Sequence, residues 1–552
     1  MNRTDQIAEQ YVPEALELDP IWATLAGVAG FEDRMADLSP EGFEARADLD
    51  RRTTATLRAV AATSEHEQVA HAAMLERLSL AVEEYDAGDT TSDINVIASW
   101  MHSVRNVFDV MPVDADEAQR HLAVRIAAVP EAYAGLRRTY VQAAQQGRVA
   151  ARRQVEGCAQ QCASWSSGAG GFYPGLVERT QAAGTLRAQL DKAAQAASAA
   201  TAEFGRFLQA DLLPLAPERD AVGRERYNRA ARSFLGATVN LDDAYAWGWD
   251  EVWRLEAEMA RVANQIVPGG TVDDAVAALE ADPARRITGR ENIRSWMQDY
   301  ADATIAKLHG THFDIPEPAR RIECVIAPTN QGGAYYRGPS QDWSRPGQMW
   351  WSPAGGVEEF AIWLDISTIH HEGVPGHHLQ VAETMFRTDR LNRWQRLMSL
   401  VSGHCEGWAL YAERLMDELG YLEDAGNRLG MLDQQMLHAA EIVIDIGVHL
   451  ELPIPPGTGW HDGETWNAGL AWEFLRSHSH YSDANLRFAL DRYLGWPGQA
   501  PSYKLGERIW LQAREDTRQR KGAAFDLKDF HSQALALGSM GLDPLREALA
   551  RL

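Results

Sequence analysis

Residues 370–380 read HHEGVPGHHLQ, and this stretch decides the fold that we expect for the chain. It places four histidines and one glutamate within nine positions, between segments that have the apolar spacing of helices. Histidine is the commonest zinc ligand, and a glutamate beside a ligand can accept a proton from the water that attacks a substrate. The stretch therefore predicts a zinc site carried by helices.

A Pro-Gly pair separates this stretch from the ordinary His-Glu-x-x-His motif, whose two histidines share one helix face. Pro375 occupies the place of the second histidine. It cannot donate to the carbonyl of His371, so the helix must bulge or bend there. On a straight helix His378 would lie about 10.5 Å from His371 along the axis, too far for one zinc. A two-residue bulge makes His377 the second ligand, with His378 as the alternative.

The third ligand is expected from a later helix, because a catalytic zinc keeps three protein ligands and one open position. The segment SGHCEGWALYAE at residues 402–413 starts an apolar helical run after a break at Gly403. Glu406 lies at its start and is predicted to bind one zinc ion together with His371 and His377. Glu413, two turns further on, is either a hydrogen-bond partner of a ligand or a solvated helix glutamate.

The motifs of the C-terminal half resemble those of the bacterial domain-of-unknown-function 885 family. The resemblance rests on HEGVPGHHLQ at 371–380, EGWALYAE at 406–413, RYLGWPGQA at 492–500, YKLG at 503–506 and FDLKDFH at 525–531. It is specific over roughly residues 320–550 and weak before them. It implies a mainly helical fold similar to zinc carboxypeptidases of the thermostable carboxypeptidase (Taq) type, and more distantly to neurolysin and angiotensin-converting enzyme.

The resemblance brings no known substrate, but together with the metal motif it predicts a zinc-dependent, metallocarboxypeptidase-like peptidase with a peptide or small amide as its substrate. Glu372 is then the general base, and Tyr503 donates to the developing oxyanion, since related zinc peptidases use a tyrosine from a C-terminal helix. Arg492 and Lys504 are candidates to receive a substrate carboxylate, and Tyr336 is a candidate substrate contact. A buried structural tyrosine and a surface ion pair are the alternative interpretations of these side chains.

Two departures from the family pattern concern the surroundings of the site. Trp343 replaces a glycine that the family usually has between aspartate and serine. His438 and Glu441 stand where the family tends to carry arginines. If those arginines hold a substrate carboxylate, substrate choice differs in this chain.

Two other functions remain open from the residues alone. A zinc hydrolase of a non-peptide amide or ester would use the same metal chemistry. A catalytically silent helical binding protein would need the histidine-rich helix only for its structure. The intact Glu372 and Glu406 disfavour this last alternative, because a decayed site usually loses its base or a ligand.

Composition narrows the partners and the compartment. The net charge of −25 argues against binding to a nucleic-acid backbone. No apolar stretch reaches 18 residues, so no membrane span is predicted, and the N-terminus lacks the pattern of a signal peptide. Four cysteines are too few for a disulfide scaffold of this size. A cytoplasmic protein is expected.

The order of segments predicts a large, mainly α, two-lobed zincin-like (gluzincin-like) fold with a deep cleft. Residues 1–315 form an N-terminal helical region, and residues 316–552 contain the metal site and the C-terminal helices. At the start of the second region, short β-prone segments at 322–327, 333–336 and 348–351 are separated by Pro and Gly. They predict a small antiparallel sheet beside the metal-binding helix.

Overall fold

A computed structural model of the protein describes residues 2–327, 333–353 and 357–552, apart from the side chain of residue 169. The expected mainly helical fold is confirmed, since the described chain forms 23 α-helices and five short strands. None of these helices is both long and apolar enough to cross a membrane.

The helices of the N-terminal part are α1 Arg3–Leu18, α2 Pro20–Leu25, α3 Pro40–Arg58, α4 Glu65–Ala87, α5 Trp100–Asn106, α6 Asp116–Gln145, α7 Arg152–Trp165, α8 Phe172–Glu178, α9 Gly184–Phe207, α10 Arg224–Leu235, α11 Leu241–Ile266, α12 Val272–Ala281 and α13 Arg290–Leu308. Those that follow are α14 Ile362–Glu372, α15 His377–Phe386, α16 Arg393–Leu397, α17 Ser402–Glu418, α18 Ala425–Leu450, α19 Ala468–Ser477, α20 Asp483–Gly495, α21 Ser502–Lys521, α22 Leu527–Leu535 and α23 Leu542–Leu549. The strands are β1 Arg286–Thr288, β2 Ile322–Ile326, β3 Ala334–Arg337, β4 Gly347–Trp351 and β5 Glu359–Ala361.

The chain divides into two compact units. The first comprises Met1–Thr63 and Leu78–Asp220, and the second comprises Ser64–Arg77 and Ala221–Leu552. In the first unit α6 packs along α9, and the rings of Tyr133 and Phe204 stack with their centroids 4.8 Å apart. The second unit holds all five described strands and all the predicted site residues.

Helix α18 is the centre of the second unit, and it is buried on nearly every side. Helices α11 and α14 pack against it. A Cβ on Gly430 of α18 would lie 2.0 Å from the carbonyl oxygen of Trp363, so only glycine allows α14 to pass so closely. The start of α14 is thereby fixed against α18.

The predicted small sheet is confirmed next to the helix that carries His371. Strands β3 and β4 pair antiparallel, with Tyr336 opposite Met349, and β2 adds to β4 in parallel. A second pair of strands, β1 and β5, is antiparallel. Strand β5 ends at Ala361, and α14 begins at the next residue, Ile362. The sheets therefore lead the chain directly into α14.

Trp343 lies in a turn before β4 and has a φ of 60°, in the left-handed region. The Asp342 carboxylate accepts from the backbone N–H of Ser344 at 3.0 Å and holds this turn. A left-handed conformation costs a residue with a Cβ about 1–2 kcal/mol. The backbone therefore explains why the family pattern has glycine here, and this chain bears a local cost.

Helices α17 and α21 cross at three glycines. A Cβ on Gly506 of α21 would lie 2.1 Å from the carbonyl oxygen of Gly403 and 2.7 Å from the Cα of Gly407. The crossing brings the first turn of α21, with Tyr503, beside the first turns of α17, with Glu406. The close approach of these two helices is therefore required to bring Tyr503 next to Glu406.

We expect Gly506→Ala to destabilise the second unit, because overpacking of this kind costs about 1–3 kcal/mol. Gly175→Ala is the matched control, since Gly175 is an exposed helical glycine with open space around its Cβ position. Alanine there should stabilise the protein by about 0.5–1 kcal/mol. Differential scanning calorimetry measures both, and a Gly506→Ala protein that melts like the wild type would contradict the tight crossing.

Candidate metal centre

The histidine-rich stretch folds as two helices joined by a short linker. Helix α14 ends at Glu372, and α15 begins at His377, so the helix breaks here and does not continue through a bulge. The break follows from Pro375, which has no N–H to donate to the carbonyl of His371. A Cβ on Gly376 would lie 2.0 Å from the carbonyl oxygen of His371, so the linker folds back tightly on the end of α14.

Trp408 of α17 fixes this linker from the other side. Its side chain is fully buried, and its indole N–H donates to the carbonyl oxygen of Pro375 at 2.8 Å. Trp408 lies two residues after Glu406, so one helix both supplies a predicted ligand and holds the linker. The relative positions of the three predicted ligands are fixed in this way.

The predicted ligands His371, His377 and Glu406 lie together, and their ligand atoms are within 4.8 Å of one another. Glu406 Oε2 is 3.3 Å from His371 Nε2 and 3.2 Å from His377 Nε2. A tetrahedral zinc with bonds of about 2.0–2.1 Å separates its ligand atoms by about 3.3–3.4 Å. The two separations thus match the spacing that one zinc ion requires.

Electrostatics in the cluster are dominated by buried opposite charges. Burial alone would lower the pKa of His371, but hydrogen bonds with Glu406 and Glu413 outweigh burial and hold the pKa well above its usual value. Burial alone would raise the pKa of Glu406, but His377 and His371 outweigh it and hold that pKa well below its usual range. Glu406 is therefore an ionised carboxylate, which is the form that binds a metal, whereas His371 must release the proton of Nε2 when it binds one.

Glu413 orients the first ligand. It is completely buried, so it is not a solvated helix residue. One oxygen lies 2.7 Å from His371 Nδ1, and the other accepts from the Ser367 hydroxyl at 2.6 Å. A carboxylate on Nδ1 makes that nitrogen the N–H donor and directs Nε2 toward a metal.

Glu372 is buried beside the cluster, and its Oε2 atom has no hydrogen-bond partner in the described chain. Burial raises its pKa. A buried polar atom left unsatisfied costs about 1–3 kcal/mol, so this oxygen needs an explanation. A water held at the open position of a zinc site would satisfy it, and the residues present therefore fit the ion.

His378 is excluded from this cluster by its own partners. It is completely buried, its Nε2 lies 2.8 Å from the carbonyl oxygen of Ala319, and its Nδ1 lies 3.0 Å from the Tyr336 hydroxyl. Both ring nitrogens are therefore engaged, and burial lowers its pKa to about 4. Of the two alternatives, the structure brings His377 and not His378 to Glu406.

Both predicted tyrosines lie beside the cluster. The Tyr503 ring centroid is 6.3 Å from that of His371, and the Tyr336 ring centroid is 6.5 Å from that of His377. Burial is the main reason that the pKa of Tyr503 is raised, so its hydroxyl keeps its proton. Tyr336 is additionally held by its hydrogen bond with His378.

The two predicted carboxylate-binding cations differ in position. Arg492 lies beside Tyr503, with Nη1 donating to its hydroxyl oxygen at 3.3 Å. Lys504 is buried, and its ammonium donates to the side chains of Gln435 and Glu507. The side chains of consecutive helix residues point in different directions. Because the side chain of Tyr503 points toward the cluster, that of its neighbour Lys504 points away from it. The structure therefore does not bring Lys504 to the site.

His438 and Glu441 were noted in the sequence only as departures, and the structure places both next to Tyr503. The His438 ring stacks on the Tyr503 ring with centroids 4.2 Å apart and an angle of 9°, and its centroid is 6.5 Å from that of His371. Glu441 accepts from His438 Nδ1 at 2.7 Å and from Arg492 Nη2 at 2.8 Å. A buried pair three residues apart on a long apolar helix was the available sequence signal.

Comparisons with known proteins identify the fold and the family. A search of solved structures finds a protein described as a "putative lipoprotein" from Colwellia psychrerythraea, with 21% identity, a TM-score of 0.86, and coverage of 100% of this chain and 98% of that one. A "putative lipoprotein of unknown function" from Shewanella oneidensis has 17% identity, a TM-score of 0.73 and 99% coverage of both chains. No curated protein matches the chain. The family model described as "Bacterial protein of unknown function (DUF885)" matches residues 20–549, and the chain therefore belongs to this family.

Proposed function

We propose that this chain is a zinc-dependent peptidase whose chemistry resembles that of metallocarboxypeptidases. One observation carries the proposal: two histidine nitrogens lie 3.2 and 3.3 Å from one glutamate oxygen. Two imidazoles and one carboxylate are a ligand set of catalytic zinc that leaves one position open. A structural zinc site would instead be closed by a fourth protein ligand.

When bound, the zinc ion polarises a carbonyl oxygen and lowers the pKa of water at this site. Glu372 removes a proton from the attacking water and delivers it to the leaving amine. Its unpartnered Oε2 supports this role, because no described protein donor has to be displaced before the oxygen accepts a proton. The Tyr503 hydroxyl donates a hydrogen bond to the carbonyl oxygen on which negative charge develops and keeps its proton.

A peptide is favoured over a small ester or amide by the strand next to the site. Strand β3 is the last strand of the described three-stranded sheet, in which it pairs with β4. Tyr336 on β3 lies beside His377. Peptidases commonly bind an extended substrate beside a strand that adjoins the catalytic residues, and the position of β3 supports a peptide substrate by this analogy.

Two observations bear on the cellular location of the protein, and they favour different compartments. The four cysteines are all buried free thiols, which supports the proposed cytoplasmic location. The description of two similar structures as "putative lipoprotein" favours a lipid-anchored location instead. Cell fractionation of the expressed protein decides between these locations.

We expect the purified protein to carry about one zinc per chain. His371→Ala, His377→Ala and Glu406→Ala should each lose it, because each removes one of three ligands. His378→Ala is the matched control and should retain it, since both of its ring nitrogens are engaged elsewhere. Mass spectrometry of the metal content measures all four variants. Loss of zinc from His378→Ala with retention in His377→Ala would refute the ligand assignment.

Glu413→Gln should weaken zinc binding about 10–100-fold without abolishing it, because the partner that orients His371 is altered while every ligand remains. Competition with a chromogenic chelator measures the affinity. Glu418→Gln, on the same helix but half-exposed beside Arg514, is the control and should bind zinc like the wild type. Equal affinities in both variants would contradict the orienting role of Glu413.

Glu372→Gln should lower the rate of peptide hydrolysis about 10²–10⁴-fold, because the amide cannot accept the proton of water. Zinc content and melting temperature should stay at least at the wild-type level, since Glu372 is not a ligand and its buried oxygen has no partner. Hydrolysis of a peptide library by both proteins measures the effect.

Turnover that survives Glu372→Gln would show that another residue is the base. A wild-type protein that binds zinc but cleaves small amides or esters and no peptide would exclude the peptidase. Loss of folding in Glu372→Gln would support a purely structural histidine-rich helix.

A further inference from the structure

Tyr503 has only one described hydrogen-bond partner, and that partner can only donate. Arg492 Nη1 lies 3.3 Å from the Tyr503 hydroxyl oxygen. A guanidinium carries N–H donors and no acceptor, so the tyrosine oxygen accepts this bond. The hydroxyl proton of Tyr503 is thus left for a different acceptor.

A second arginine–tyrosine hydrogen bond of the same kind occurs in the second unit. There the tyrosine hydroxyl also has a further partner, a histidine. Arg514 Nη1 donates to the hydroxyl oxygen of Tyr411 at 3.2 Å, and its guanidinium pairs with Glu418 at 2.8 Å. The Tyr411 hydroxyl in turn lies 2.7 Å from His531 Nε2, which is its hydrogen-bond partner on the other side. Burial lowers the pKa of His531 to about 3, so its imidazole is neutral and has one nitrogen that can accept a hydrogen bond from a hydroxyl.

Tyr503 lacks the equivalent of His531 in the described chain. Its side chain is partly exposed, and its ring lies 6.3 Å from that of His371. We infer that Arg492 is a positioning residue that fixes the direction of the Tyr503 hydroxyl, so that the proton is presented to an oxygen of the substrate. This inference rests on the proposed peptidase function, in which that oxygen is the carbonyl under attack.

Glu441 anchors the arginine that performs this task. It is completely buried, and besides Arg492 it accepts from the Tyr493 hydroxyl at 2.6 Å and from His438 Nδ1 at 2.7 Å. His438 also stacks on the Tyr503 ring at 4.2 Å. Arg492 thus holds the hydroxyl, and His438 holds the ring.

This geometry assigns Arg492 a different role from the one that the sequence suggested. Its charge is already balanced by Glu441 at 2.8 Å, and its side chain is only 18% exposed. A substrate carboxylate at the same guanidinium would place two carboxylates against one cation in a buried site, which is unfavourable. Arg492 therefore acts on the substrate through Tyr503.

The test uses the zinc-loaded full chain and one peptide in two forms, with a free or an amidated C-terminus. Tyr503→Phe should lower kcat about 10²-fold, as the loss of an oxyanion donor does. Arg492→Met should lower kcat at least about tenfold for both peptides alike, with little change in KM. The double variant should be no slower than Tyr503→Phe, because the two residues act as one unit. Arg492→Met leaves Glu441 with two donors, so folding should be retained.

Arg514→Met is the matched control, since it removes the same kind of arginine–tyrosine–glutamate contact on the same helix as Tyr503. It should leave kcat and KM unchanged. A loss confined to the free-acid peptide would overturn the inference and return Arg492 to carboxylate binding. Additive losses in the double variant would overturn it as well.

A crystal structure of zinc-loaded Arg492→Met gives a readout that needs no activity. We expect the Tyr503 hydroxyl to leave its wild-type position while His371, His377 and Glu406 stay in place. An unmoved hydroxyl would overturn the inference. If the wild type hydrolyses no peptide, the proposed function fails, and the position of Tyr503 still decides whether Arg492 positions it.

Discussion

The break at Pro375 is the constraint on which the candidate site depends. It ends α14 directly after Glu372 and starts α15 at His377, so two histidines six residues apart approach one carboxylate. A continuous helix would keep them on different turns and could not do this. The break is held by a glycine pressed against the carbonyl of His371 and by the indole of Trp408. The linker therefore belongs to the site as much as the ligands do.

Buried carboxylates give the site its electrostatic character. Glu413 and Glu441 are completely buried, and each is held by two or more donors. Glu372 differs, because one of its oxygens has no partner. Other buried carboxylates, Asp445 and Glu507 among them, also have an unpartnered oxygen, but Glu372 adjoins the three predicted ligands, so its oxygen lies where it can take part in chemistry. A protein that only needed stability would gain by filling it.

The sequence predicted the helical class, the small sheet and a ligand set whose members lie together in the structure. These features depend on local signals: apolar periodicity, Pro and Gly between β-prone segments, and ligand types at close spacing. The choice between His377 and His378 could not be made from spacing alone, because it depends on where the chain re-enters a helix and on Ala319 and Tyr336, which are distant in sequence. The direction of Lys504 was open to prediction, since its neighbour Tyr503 had already been assigned to the site face.

The partners of His438 and Glu441 could not be predicted, because they come from two later helices. Helix α18 is buried on nearly all sides, yet it carries polar residues at Gln435, His438 and Glu441. Gln435 bonds Lys504 of α21, and Glu441 bonds Arg492 of α20. An apolar helix could slide against its neighbours at modest cost. Sliding of α18 would instead break these hydrogen bonds, and each broken bond would leave a buried polar group unpaired. The polar residues of α18 therefore set the register of α20 and α21, and with it the position of Tyr503 over the cluster.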